Sequence, residues 1–586
     1  VSVLAVGKVA LSGDYTLAQI TPDGTLGAES SVVTPNLIIK DLPGDRLDGG
    51  ALRGANLFHS FTDFNVKESQ RVYFANPVGV SNILSRVTGK NPSDILGTLG
   101  VLGNANLFLI NPNGIYFGPN ARLDIRGSFT ATTSEGIQLG ENGLFSATDP
   151  QNSQLLSVQP SALFTNAMAQ HQAAIRNEGN LAAGENLTLA ASNLDLQGQL
   201  YARANLTLQA LDTVRIRDSA NTPFVAAASN QLLVQGNQGV DIFALNHPYS
   251  GLFSGGKMIL RSANPVGGDA HYWSGGSFRI EQLDGSLGNL LSLYDPIIRS
   301  QGDVSFFGYE GTSLNILAGG SVNIGAVFIT GTDITGDTIN QTSTPTLANV
   351  TLSDGTALVI DGSARPTLDV RAGMKPEAIG SPLGTSGDNF PTDVFFDASF
   401  FIEPPPANNP VATNADITIG YIQINPPNGI VLLTNQYEPN LSLPSGDIHL
   451  PATGISGFRG INLSVSGDDG GDAILDSRGN ISLDNTIIFS SGSTAGDVTL
   501  LARDDITLNP GSGIFANAFR RFAGDVNALG GDVKLVSGGD VSINQARLDV
   551  RASDGGSITI DAQNIKIFDS LLLTGIRGDF GGMETR

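Results

Sequence analysis

The sequence predicts an all-β protein, a right-handed parallel β-helix (solenoid) closed at its amino end by a capping domain. Three observations lead there. Glycine makes up 72 of the 586 residues, and Asn, Asp, Ser and Thr crowd the junctions between short apolar runs, a strand-and-turn composition. Within the runs Val, Ile or Leu alternates with Thr, Ser or Lys, which gives each strand one apolar face. The runs also recur as phrases. Gly496-Asp497-Val498-Thr499-Leu500, Gly531-Asp532-Val533-Lys534-Leu535 and Gly556-Ser557-Ile558-Thr559-Ile560 repeat one pattern, with Asp505-Ile506-Thr507-Leu508 and Asp540-Val541-Ser542-Ile543 between them. Strands too short to bury a face alone bury it by stacking on their neighbours, which is the logic of a solenoid. A row of sandwich domains spaces strands by roughly 8–12 residues but repeats no such phrase.

Taken in order, residues 1–19 read as a signal remnant or an amino-terminal extension. Val1 to Leu11 is largely apolar and Thr16-Leu17-Ala18 offers a small-residue cleavage site, whereas Lys8 and Asp14 argue against a clean signal. Residues 20–160 lack the repeat and are assigned to the cap, because a solenoid end exposes strand edges that must be covered. Residues 161–325 are coils: Gly184-Glu185-Asn186-Leu187-Thr188-Leu189 returns at Asn205-Leu206-Thr207-Leu208. Residues 326–430 form an irregular, proline-containing insertion. Glu403-Pro404-Pro405-Pro406-Ala407-Asn408-Asn409-Pro410 cannot supply the amide donors of a central strand, although Ala357-Leu358-Val359-Ile360 and Ile417-Thr418-Ile419 remain strand-like. Residues 431–586 return to coils, which are expected to continue beyond the fragment.

The formal net charge is −23, from 55 acidic and 32 basic residues, so a phosphate backbone is repelled and nucleic-acid binding is excluded as a function class. There is no cysteine, hence no disulfide and no thiolate metal site. No run approaches the roughly 18 apolar residues of a spanning helix.

The most specific local signal is Asn106-Leu107-Phe108-Leu109-Ile110-Asn111-Pro112-Asn113-Gly114-Ile115-Tyr116-Phe117-Gly118, two strand-like runs joined by a turn. Pro112 presets φ for the second turn position, Asn113 tolerates the left-handed region, and Gly114 closes the turn. Around it, in order, lie Asn56-Leu57-Phe58-His59-Ser60-Phe61-Thr62-Asp63-Phe64, Ala75-Asn76-Pro77-Val78-Gly79, Asn82-Ile83-Leu84-Ser85-Arg86-Val87 and Gly127-Ser128-Phe129-Thr130-Ala131-Thr132-Thr133. This ordered series resembles the amino-terminal secretion domain of the filamentous haemagglutinin family, the exported proteins of bacterial two-partner secretion. The likeness covers roughly residues 20 to 135 and extends beyond only as a style of repeat. It implies a secreted exoprotein, extracellular or held on the outer surface, whose partner is an outer-membrane transporter with periplasmic docking domains. It also implies that Asn111, Pro112, Asn113, Gly114 and Ile115 form the secretion motif. A second element of the family, Asn-Pro-Asn-Leu, has only Asn76-Pro77-Val78-Gly79 or Asn91-Pro92-Ser93-Asp94 in its place and stays unassigned. The motif predicts that bulky β-branched residues at 111 and 113 impair secretion more than stability.

Other candidates are weighed against plainer readings. Gly467-Asp468-Asp469-Gly470-Gly471-Asp472 resembles one copy of a calcium-binding Gly/Asp repeat, making Asp468, Asp469 and Asp472 calcium candidates against the commoner solvated turn. These residues, with Asp476, Asp504 and Asp505, are also the carboxylates a polysaccharide-cleaving β-helix would use. Histidines 59, 171, 247, 271 and 449 are too scattered for a zinc site. Trp273, the single tryptophan, either stacks on a sugar or packs over a coil. Arg577, Gly578 and Asp579 form a receptor-recognition tripeptide that a chain rich in Gly and Asp also produces by chance. Asn186 and Asn205 fit the glycosylation triplet but sit at strand starts. The expectation is therefore a non-enzymatic adhesin or matrix scaffold with no cofactor, which binds a cell-surface or glycan receptor. A polysaccharide-acting enzyme and an inert filament are the alternatives.

Overall fold

Short strands that alternate apolar and polar residues stack here as predicted, in parallel and in register. The computed structural model describes residues 20–575 apart from 142, 156, 165–172, 295, 334–348, 381–411, 445, 453–459, 464–468 and 519–527, with residues 161–164 described as backbone. The stretch 1–19, Asp468, Glu403 to Pro410 and Arg577-Gly578-Asp579 lie outside the described residues. The chain divides into two compact units, Val1–Ile175 and Arg176–Arg586.

In the first unit Asn56–Phe64, Asn82–Val87, Asn106–Ile110 and Phe129–Thr132 form one parallel ladder. Leu42–Gly49, Arg71–Ala75, Thr98–Leu102 and Arg122–Asp124 form another. The winding thus begins well inside the span read as non-repetitive, ahead of the 160/161 boundary drawn from the sequence. The repeat was hidden because its conserved feature is not an apolar pattern but one polar residue per coil. Asn82 Nδ2 donates to Asn56 Oδ1 (2.9 Å), Asn106 Nδ2 donates to Asn82 Oδ1 (3.0 Å), and the Ser128 amide donates to Asn106 Oδ1 (2.8 Å). Asn56 and Asn82 are buried, so each amide must find partners, and a neighbouring coil's asparagine supplies both a donor and an acceptor. The capping role falls to antiparallel pieces: Ile20–Pro22 and Ala51–Arg53 against Asn56–Phe64, and Ser31–Ile39 against Leu42–Gly49. A three-stranded antiparallel sheet of Gly136–Leu139, Gly143–Ser146 and Pro160–Phe164 is set apart from the ladders. Its Ile137, Leu139 and Phe145 pack on Phe58, Leu84 and Ile110, so one outer face of these coils is covered too.

His59 lies inside this unit, stacked on Phe61 and against Phe74, with Nδ1 3.0 Å from Ser31 Oγ. Its Nε2 is buried without a hydrogen-bond partner. Burial lowers its pKa from 6.5 to about 4, against a small opposing pull from Asp48. The unfolded chain therefore takes up a proton near pH 6.5 that the folded chain refuses until about pH 4. The stabilisation is full above 6.5, declines as pH falls, and levels off below 4 after a loss of about 3 kcal/mol. Urea unfolding at pH 7 and pH 4.5 checks this. The midpoint of His59→Phe is expected to fall less than that of wild type, and parallel shifts would exclude His59 as the source.

In the second unit the coils run through three parallel ladders, the first two being spanned by single long strands at Val304–Gly311, Val322–Ile329 and Ile417–Ile424. The first stacks Leu187, Leu206, Leu232, Met258 and Phe278, then Ile448, Ile481, Ile506 and Val541, all buried inward. The third stacks Leu200, Ala226, Leu252, Tyr272 and Ile298 in the same way. Val322–Ile329 pairs directly with Ile417–Ile424, so these two strands belong to successive coils. The span 326–430 was expected to be an excursion, yet Thr367–Arg371 is a rung of the third ladder, between Leu314–Ala318 and Ile430–Thr434. The hairpin Asn349–Thr351/Ala357–Val359 lies over later rungs: Val350, Leu352 and Ile360 pack on Ile430, Leu432, Ile474 and Leu501. Ser353 donates its amide (3.0 Å) and hydroxyl (2.6 Å) to Asp476, and Lys534 Nζ donates to Asp354 Oδ2 at 2.6 Å. Asp369 and Arg371 form an ion pair of 2.7 Å with both side chains fully buried. Trp273, 6% exposed, donates Nε1 to Gly380 O at 3.0 Å; it packs over a coil rather than offering a free face.

The recurring Gly-Asp-Val phrase has a separate cause for each polar position. A Cβ on Gly496, Gly531 or Gly556 would meet the carbonyl oxygen of the preceding coil's Gly471, Gly496 or Gly531 at 2.3, 2.0 and 2.0 Å. The aspartates are acceptors for the next coil. Asp472 takes the amide of Asp497, Asp497 that of Asp532, and Asp532 that of Ser557, at 3.1, 2.8 and 2.7 Å. A second column runs Asp416, Asp447, Asn480, Asp505, Asp540 by the same bond. The aspartates of both columns thus terminate backbone donors that a coil corner leaves without a ladder partner.

Candidate functional site

The turn at Asn111 is built by stacking on the coil beneath it. Asn106–Ile110 pairs with Asn82–Val87 and Ile115–Phe117 with Ser93–Ile95, so residues 111–114 sit over the bend at Gly89 to Pro92. The Gly114 amide donates to Asn111 O at 3.1 Å, closing a β-turn with Pro112 second. Asn111 Oδ1 accepts the Asn113 amide at 2.9 Å, an Asx turn inside the β-turn. Asn113 does not adopt the left-handed region expected of it; among turn residues 111–114 the positive φ, 120°, belongs to Gly114. Asn113 instead contributes hydrogen bonds.

Those bonds run between coils. Asn111 Nδ2 donates to Asn91 O and to Ser93 Oγ, both at 3.0 Å, and Asn113 Nδ2 donates to Gly89 O at 2.9 Å. From the other side the Asn111 amide donates to Thr132 O at 3.0 Å. Asn111 is wholly buried, Pro112, Gly114 and Ile115 are buried, and Asn113 is partly exposed. Three successive coils are thereby fixed by one five-residue segment. Its side chains serve as a clamp, and Asn91-Pro92, one of two candidates for the second family element, is what it clamps.

A second cluster in the same unit escaped the sequence. Arg86 is 1% exposed, with its guanidinium 4.5 Å from the Phe145 ring. Nε donates to Ser60 Oγ (2.8 Å), Nη1 to Ser146 O and Ser153 Oγ (both 2.6 Å), and Nη2 to Thr25 Oγ1 (2.9 Å). Burial lowers its pKa to about 10, opposed by Asp23. Asp23 accepts from the hydroxyls of Thr25, Ser60 and Thr88, and these bonds outweigh burial to hold its carboxyl below the usual range. One cation thus joins the entry loop, two coils and the covering sheet. An arginine amid apolar residues on a predicted strand was the available signal.

The remaining candidates are not brought together. Asp472 accepts from Arg365 Nη2 at 2.9 Å through Oδ2 and from the Asp497 amide through Oδ1, and Asp476 is taken up by Ser353. Asp469 has Ser493 Oγ at 3.4 Å. Among the described residues no group of three or more His, Asp or Glu is disposed to hold a metal ion. His449 Nε2 lies 2.7 Å from Asp484 Oδ2, while His59 is interior to the other unit. Asn205 donates to Asn186 and accepts from Asn230, so the glycosylation triplets double as another asparagine ladder.

Residues 18–280 match the family model described as the TPS secretion domain. This part of the chain is a two-partner secretion domain. An 80-residue stretch of the chain is 36% identical to the heme/hemopexin-binding protein of Haemophilus influenzae, over 14% of the chain and 8% of that protein. Among solved structures, the HMW1 secretion domain from Haemophilus influenzae is similar at 14% identity and a TM-score of 0.21, over 93% of this chain and 99% of that one. The filamentous hemagglutinin secretion domain is similar at 16% identity and a TM-score of 0.23, over 53% and 96%. The matched domain is that of proteins exported to the cell exterior by two-partner secretion, a route in which an outer-membrane transporter is the partner. No described helix is long and apolar enough to cross a membrane.

Proposed function

We propose that the exported chain is a binding scaffold, an adhesin that attaches to a cell surface or glycan without cleaving it. The observation that supports this most is the employment of its carboxylates. Asp472, Asp497, Asp532, Asp447 and Asp505 each accept a backbone amide of the adjoining coil, and Asp472 also holds Arg365. An acid and a base for glycoside cleavage must flank one glycosidic bond, one to protonate the leaving oxygen and the other to act at the anomeric carbon. Columns of carboxylates that terminate backbone donors are scaffold chemistry instead.

The test is incubation of the purified chain with neutral and acidic polysaccharides, with and without calcium. Retention on the polysaccharide is followed beside reducing ends and unsaturated products. Binding without product is expected. Product formation that Asp472→Asn abolishes would establish the enzyme and remove the adhesin.

Within the same proposal, the Asn111 segment acts in export before it acts in the fold. Asn111 is inaccessible once the coil is wound. A transporter that reads it therefore meets the segment unfolded, and the clamp closes afterwards.

A further inference from the structure

The outer face of the second ladder, whose last described strands are Ile487–Phe489, Gly513–Phe515, Arg547–Asp549 and Leu571–Leu573, carries a groove. Register aligns Ile487, Gly513, Arg547 and Leu571 in one column and Phe489, Phe515, Asp549 and Leu573 in the next. Ile488, Ile514 and Leu548 between them point inward and are fully buried, which turns both columns outward. Gly513 leaves a gap in the first column, and the Phe515 ring leans into it: a Cβ at 513 would lie 2.7 Å from Phe515 Cε2. The groove encloses about 370 Å³, with Phe515 and Arg547 joined in its lining by Ser512, Gln545, Asp569 and Leu571. That volume is at the scale of a small-ligand site.

Its chemistry is that of an amphipathic ring with hydroxyl groups. The Phe515 ring lies 5.9 Å from Phe489, and the Arg547 guanidinium carbon is 5.4 Å from the Phe515 centroid. The ring's electron-rich face attracts C–H edges as it attracts the cation. Arg547, with 41% of its side chain exposed, donates Nη2 to Asp549 Oδ2 at 2.7 Å. Gln545 and Asp569 offer an amide and a carboxylate at the rim. Asp549 and Asp569 beside the groove, in a chain of net charge −23, disfavour an anionic guest.

We propose that this groove binds one pyranose ring of a neutral glycan. The C–H face of the sugar stacks on Phe515, a ring or hydroxyl oxygen accepts from the Arg547 guanidinium, and hydroxyls donate to Asp569 and Gln545. The inference rests on the binding reading above and gives it a ligand class and an address.

The experiment is calorimetric titration of the purified chain with cellotetraose, laminaritetraose and N-acetyllactosamine, with polygalacturonate as the acidic probe. Phe515→Ala, Gly513→Val and Arg547→Gln are titrated beside it, and thermal unfolding and adherence to cell surfaces are measured on the same preparations. Arg547→Gln leaves Asp549 paired with Arg551 Nε and Nη2, at 2.9 and 2.7 Å, so the fold is expected to survive it. The expected result is binding of a neutral probe that weakens at least about tenfold in all three variants, in Arg547→Gln at unchanged unfolding temperature. Equal binding by the variants, or preference for polygalacturonate, overturns the proposal. A chain that adheres to cells yet binds no neutral probe overturns the groove alone, and one that does neither overturns the adhesin reading with it.

Discussion

Replacing Arg86 by Met lowers the stability of the first unit by about 3–5 kcal/mol, the cost of withdrawing one member from a buried charge network. Four hydrogen bonds end on the guanidinium, and its charge faces Asp23 across Ser60 and Thr25. Methionine fills the volume beside Phe145 but leaves the buried Ser146 O and Ser60 Oγ, and the partly buried Ser153 and Thr25 hydroxyls, short of a donor and Asp23 without its facing charge. The covering sheet should loosen first, since the Ser146 and Ser153 bonds are its polar ties to the coils. Urea unfolding gives the midpoint, and limited proteolysis within residues 136–164 reports the loosening. A midpoint displaced by less than about 0.5 kcal/mol would mean that Phe145 and Leu139 hold the sheet unaided.

Asn111→Val is expected to cost about 2–4 kcal/mol, because it removes the Asx acceptor and two inter-coil donations at once and leaves the buried Ser93 Oγ without its donor. This departs from the expectation that export suffers more than stability. A buried clamp does not separate the two effects, and only the partly exposed Asn113 comes near to doing so. Asn113→Val loses the bond to Gly89 O but keeps the turn, and should cost about 1 kcal/mol. Thermal unfolding of the two single variants checks the ranking, and equal losses would contradict the assignment of Asn111 as the central residue.

The ladders of the second unit were legible because the residues that define them, Leu206-Thr207-Leu208 or Val498-Thr499-Leu500, carry the two-residue period of a strand and recur once per coil. The turn at Asn111 was legible because proline and glycine restrict φ by local sterics alone. Three features were not. The Asn56, Asn82, Asn106 ladder joins residues one coil apart, and unequal coil lengths hide that spacing in the sequence. Arg86 has meaning only against Thr25, Ser60, Ser146 and Ser153, which approach from four separate segments. The insertion looked like an excursion because its prolines forbid a central strand, yet Thr367-Leu368-Asp369-Val370-Arg371 is a fully buried rung. Its charged pair masked the strand pattern; Asp369 and Arg371 neutralise each other on one face while Leu368 and Val370 fill the other.

The central claim is that the segment from Asn111 to Ile115 serves both as a clamp between coils and as part of what the export partner reads. Arg86→Met supplies the control, since it destabilises the same unit and leaves the turn intact. The decisive measurement is the amount of chain reaching the medium when the Asn111→Val/Asn113→Val variant, the Arg86→Met variant and wild type are each expressed with their own outer-membrane transporter. Secretion of the double asparagine variant is predicted to fall well below that of Arg86→Met at comparable loss of stability. Equal secretion by the two variants would contradict recognition of the turn and leave it a structural clamp alone.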